Sequence, residues 1–226
     1  MLNYLISGGG NPREYIIHIL LCLPIIMLAL SVHETAHGFM ASKLGDPTAK
    51  NLGRLTLNPV KHIDPIGLLS MVLVGWGWAK PVPINTRLLK KPKRDMALTA
   101  AAGPISNVLL AFFFALLLKL SFELVPYIPI NSEKMAYALT LILIFFQYGV
   151  ILNVNLAVFN MLPIPPFDGS RILYTFLPTK WYFKVMKYEQ YIYIALLVLL
   201  FTGVLSPVFS FLTSHVVGFI YFVCGI

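Results

Sequence analysis

Ser31-Val32-His33-Glu34-Thr35-Ala36-His37-Gly38 closes a long apolar run that begins near residue 15 and continues to about 42. Two imidazoles and a carboxylate inside such a run cost free energy unless they are paired or hold a cation. The run is long enough to cross a bilayer, which takes about 20 mainly apolar residues as a helix. On that helix, positions 33 and 37 lie about 40° apart around the axis and about 6 Å apart along it. Both rings can therefore reach one ion, with Glu34 beside it, in the H-E-x-x-H pattern of zinc proteases.

Working outward, the rest of the chain fits a membrane-embedded protein. Of its 226 residues 58% are hydrophobic and only 12% charged, against roughly 25% charged in soluble domains. No composition shift or polar linker divides it, so a single transmembrane domain over residues 1–226 is expected. Apolar stretches at roughly 15–42, 97–120, 136–161 and 190–224 supply the spans. The last is too long for one crossing, and Gly203 with Ser206-Pro207 breaks it into two. The fold class is thus all-α, a polytopic transmembrane helix bundle of about five spans. A sixth run, 65–78, is too short to cross, so residues 65–85 are expected to form a re-entrant or hairpin segment. The first apolar run leads straight into His33 with no cleavage-site pattern, so it is expected to stay in the mature protein. Cys22 and Cys224, far apart in apolar runs, are expected to pack or face lipid.

Lys and Arg outnumber Asp and Glu by 17 to 9. Ten of these cations fall between residues 43 and 95 and four between 165 and 190, whereas the 119–135 loop balances Lys119 and Lys134 with Glu123 and Glu133. Basic loops collect on the cytoplasmic side. A multi-pass protein of the cell membrane is expected, with both basic loops and the opening of the site toward the cytoplasm. The positive balance suits anionic lipid rather than nucleic acid, and no nucleic-acid partner is expected.

A zinc site needs a third protein ligand and a position left open for water. Asp168 is the candidate, a carboxylate in the apolar stretch Asn160-Met161-Leu162-Pro163-Ile164-Pro165-Pro166-Phe167-Asp168-Gly169. Its three prolines forbid a regular helix. Unwound backbone at membrane depth is tolerated where it lines a cavity, which would present Asp168 as a ligand.

These motifs, in this order, together with Gly53-Arg54-Leu55-Thr56-Leu57-Asn58-Pro59 and Ala101-Ala102-Gly103-Pro104-Ile105-Ser106-Asn107, resemble the site-2 protease family of intramembrane zinc metalloproteases. The likeness runs from about Val32 to Arg171. It implies that His33, His37 and Asp168 bind one Zn2+, that Glu34 is the catalytic base, and that the substrate is a transmembrane protein or peptide cut within the lipid bilayer. Many members of the family carry an added PDZ-like or CBS-like domain; none is legible in these residues.

Asn160, at the end of a span, is a candidate donor to the oxyanion of the tetrahedral intermediate; a helix cap or interhelical bond is its other reading. In Trp78-Ala79-Lys80-Pro81-Val82-Pro83-Ile84 the prolines leave Val82 and Ile84 to offer N–H groups, so the segment either pairs with an unwinding substrate or is an interfacial loop anchored by Trp76 and Trp78. His18 lies too far from His33 to share an ion. His62 reads as a surface loop residue, His215 as an interfacial one, and Asn107 as a hydrogen-bonding neighbour of the site. The competing function class is a membrane metal-ion transporter, since intramembrane His and Asp also mark ion pathways. It predicts ligands spread along a pore and no glutamate next to a ligand histidine.

Overall fold

A computed structural model describes residues 11–74 and 77–226. Among the described residues there are eight α-helices and no strand, only an isolated antiparallel bridge between Ile63 and Ala79. The long helices are α1 (Pro12–Lys43), α4 (Pro92–Leu124), α5 (Glu133–Asn160) and α8 (Ser206–Cys224). Each is long and apolar enough to cross a membrane. Between them lie α2 (Thr48–Asn51), α3 (Pro65–Val74), α6 (Asp168–Phe176) and α7 (Thr179–Phe201).

Local chemistry sets these boundaries. The Asn11 side chain caps α1 by accepting from the Arg13 N–H, and Ser132 caps α5 by accepting from Met135, each satisfying a donor that the helix start leaves open. The expected break in the last apolar stretch falls between Phe201 and Ser206, where Gly203 has φ +73°. The fifth expected span is the one difference. The first half of α7 carries Lys180, Lys184, Lys187 and Glu189, so only its second half is continuously apolar, too short to cross alone. Four helices therefore qualify as spans among the described residues.

The 65–85 expectation also takes a definite form. Helix α3 has ten residues, about 15 Å of rise against a hydrocarbon core of about 30 Å, and the chain leads back from residue 77, where Ala79 bridges to Ile63. Trp76, expected as an anchor, lies outside the described residues.

The bundle is held by two buried layers on α4 and α5. One is apolar: Ala111, Phe114, Ala115, Val150 and Val154 pack with Ile220 and Cys224 of α8. Small residues permit this close approach, which is how helices associate in lipid, where burial from water drives nothing. Cys22 is buried as well. The other layer is polar, with Asn107 and Asn153 wholly buried. Large apolar side chains such as Leu20, Leu109, Leu116, Phe219 and Phe222 cover the outside, a surface that suits lipid and not water. The protein is a multi-pass membrane protein.

Candidate active site

Helix α1 carries His33 and His37 on the face it turns to α4, and their Nε2 atoms lie 3.0 Å apart. Asp168, the first residue of α6, brings Oδ2 to 3.2 Å from both. The irregular proline segment thus delivers the carboxylate across more than a hundred residues of sequence. Gly169 permits the delivery, since a Cβ there would sit 2.2 Å from the Met161 carbonyl oxygen at the end of α5. The start of a helix also favours a negative side chain.

The hydrogen bonds around the three side chains decide what they can hold. The Asn107 amide donates from Nδ2 to the Ala29 carbonyl at 3.1 Å and to Asn153 Oδ1 at 3.0 Å. A carbonyl only accepts, so Asn107 must present Oδ1 to His33 Nδ1, 2.6 Å away. His33 therefore carries its proton on Nδ1. His37 Nδ1 likewise donates to the Thr99 carbonyl of α4 at 2.7 Å. In the neutral rings both Nε2 atoms are then lone pairs, aimed at each other and at a buried carboxylate oxygen. Three acceptors crowded within 3.2 Å repel one another unless a cation lies among them. A group of two His and one Asp, each offering one atom, is also the donor set that suits zinc. Gly103 forms the floor: a Cβ would come within 2.5 Å of His37 Nε2 and 2.6 Å of His33 Cε1. The residues present fit a metal ion.

Glu34 is half-buried beside this cluster and accepts the Val82 N–H on Oε2 at 2.7 Å. His33, Glu34, His37 and Asp168 share a cavity of about 800 Å³ whose lining includes Pro81 and Val82. Asn160 also lines it, with its amide donating to the Leu156 carbonyl at 2.9 Å, along its own helix.

Two expectations are corrected here. Val82 is buried and spends its N–H on Glu34, so it does not offer that group to an incoming strand. His62 is no surface residue: it is wholly buried, its Nε2 donating to the Thr56 carbonyl at 2.7 Å. Elsewhere, His18 meets Tyr148 and Cys22 far from the cluster, and His215 contacts Phe211 on the outside of α8. Asn107 does bond beside the site. Its partner Asn153, which orients it and donates to the Gly149 carbonyl, is a site residue that sequence reasoning missed. A buried amide in an apolar span is the signal that could have found it, as it found Asn107.

Apolar helices that bury two histidines and an aspartate around one point, with a glutamate at hand, define a membrane metallopeptidase. The chain belongs to peptidase family M50, the site-2 proteases, whose family model matches residues 21–203. It is 41% identical over 179 residues to YwhC of Bacillus subtilis (strain 168), covering 78% of each chain, and 28% identical over 215 residues to Rip2 of Mycolicibacterium smegmatis, covering 91% of this chain and 76% of that one. A shorter match, 43% over 74 residues, covers 33% of this chain and 31% of MJ0611 of Methanocaldococcus jannaschii. All three are provisionally named zinc metalloproteases. No solved structure matches the chain significantly.

Proposed function

We propose that this protein is an intramembrane zinc endopeptidase that hydrolyses peptide bonds in or near transmembrane segments of other membrane proteins, with its site opening toward the cytoplasm. The observation that carries the reading is the convergence of His33 Nε2, His37 Nε2 and Asp168 Oδ2 on one point. These three residues would hold the ion. Zinc bound there supplies Lewis acidity toward the scissile carbonyl and lowers the pKa of a water molecule to about 7.

The remaining steps belong to the chain. Glu34 takes the proton of the attacking water and passes it to the leaving amine; the Val82 N–H holds one of its oxygens and leaves the other for the proton. Asn160, which also lines the cavity, turns an amide N–H toward the oxyanion when substrate is bound. Transport is disfavoured because the described residues gather their candidate ligands at one point, next to a glutamate.

Metal analysis and cleavage of a synthetic transmembrane peptide test the reading. Purified wild type should hold one zinc per chain and cut the peptide within its apolar stretch, by mass spectrometry. Glu34→Gln should keep the metal and lose roughly 10²–10⁴-fold in rate. Cleavage undiminished in Glu34→Gln, or a wild type that binds no zinc, would reject it.

A further inference from the structure

We propose that Arg54 is a positioning residue for Glu34, acting through the Pro81–Val82 peptide unit; the inference rests on the proteolytic reading above. The Val82 N–H donates to Glu34 Oε2 at 2.7 Å. On the opposite side of the same peptide, Arg54 Nη2 donates to the Pro81 carbonyl at 3.3 Å and to the neighbouring Lys80 carbonyl at 2.8 Å. The peptide is trans, so its C=O and N–H point in opposite directions. One planar amide is thus gripped by a guanidinium at its oxygen and by the carboxylate at its hydrogen.

The grip has two consequences. Turning the amide plane would break both contacts together, so Arg54 fixes the direction from which Glu34 is held. A cation at the carbonyl also polarises the amide and strengthens its N–H as a donor. Prolines at 81 and 83 make Val82 the one residue of the three with an N–H to give.

The segment is pinned independently on its other edge. The His62 carbonyl accepts the Lys80 N–H at 2.8 Å. The buried His62 ring donates to the Thr56 carbonyl, which also accepts the Thr35 hydroxyl at 2.7 Å. Thr35 follows Glu34 on α1, so the bonds form a closed circuit that leaves α1 beside the glutamate and returns to its carboxylate. Arg54 Nε and His62 Nδ1 are buried without partners, a cost that filling space alone would not require. Neither Arg54 nor His62 is placed among the groups that touch substrate or metal.

A double-mutant cycle on the purified protein, with the transmembrane peptide as substrate, tests the coupling. Arg54→Ala should lower kcat about 10²-fold, the effect of misplacing a reacting group by about 1 Å, with KM and zinc content unchanged. Arg54→Lys should recover part of the loss. Val82→Pro removes the N–H and should cost as much, and adding Arg54→Ala to it should cost nothing more. Should Val82→Pro fail to hold zinc, a backbone ester at position 82 removes the same N–H without a ring. Losses that multiply, or an Arg54→Ala enzyme with wild-type kcat or only a raised KM, would overturn the relay. Zinc binding and the Glu34→Gln loss are read in the same preparations: if they hold while Arg54→Ala is fully active, the relay alone falls, and if they fail, the proteolytic reading falls with it.

Discussion

Helices α4 and α5 contribute to two buried layers only a turn or so apart, built from opposite materials. At Asn107 and Asn153 the contact is two amides, 3.0 Å apart and directional. At Ala111, Phe114, Val150 and Val154 it is hydrocarbon on hydrocarbon, and Gly149 leaves room for the Phe114 ring. Dispersion has no preferred proton position, so the apolar layer sets how closely the helices approach. The amide layer sets which nitrogen of His33 carries hydrogen, and so which lone pair faces Asp168. One layer governs the integrity of the bundle and the other the chemistry at one point. Substitutions in the two should separate metal affinity from stability.

Asp168→Ala should bear hardest on the metal. It removes one of three protein ligands and leaves an incomplete site, so zinc content measured after dialysis should fall from one per chain to near zero. Retained zinc would move the ligand role elsewhere. Asn107→Leu should act next, at one remove. Losing the acceptor that orients a ligand histidine costs about 10–100-fold in metal affinity, readable by competition with a chelating dye, and unchanged affinity would break the division between the layers. Phe114→Ala should do the reverse: the cavity it opens should lower the melting temperature by several degrees, while zinc affinity stays within about twofold. Large-to-small core changes of this kind cost up to about 3–5 kcal/mol in soluble proteins.

The two layers are unequally legible in the sequence. Apolar length reveals spans because it is local, and His33-Glu34-Thr35-Ala36-His37 reveals a metal face because helical spacing is local too. Asp168 stands out because a carboxylate among prolines in an apolar stretch is costly to bury without a cation beside it. The proline spacing alone points the Val82 N–H at substrate, because its bond to Glu34 joins residues 48 positions apart, and no short-range pattern encodes that. His62 is hidden for the same reason: turn chemistry places it in a loop, whereas its burial depends on Lys80 and Thr56 closing around it. The charges of α7 are legible, and setting them against its apolar length leaves four spans among the described residues.

The smallest effect concerns the outer fastening of the segment that carries Val82. Asp46, buried in the turn after α1, accepts from the Thr48 N–H and hydroxyl and, on its other oxygen, from the Asn85 N–H at 2.6 Å. Burial alone would push its carboxyl up, but the Thr48 and Asn85 bonds outweigh it and hold the group below the usual carboxylate range. A depressed folded pKa stabilises the protein above the unfolded value of about 3.9 and loses that contribution as pH falls through the folded one. Wild type should therefore melt above Asp46→Asn by a constant margin from pH 7 to about 5, and the margin should shrink below about pH 4 as the carboxylate takes up its proton. Metal loss in acid affects both proteins alike, so the difference between them is the readout. A margin that held constant into acid would mean that charge on Asp46 contributes nothing, and that shape alone ties Asn85 to the end of α1.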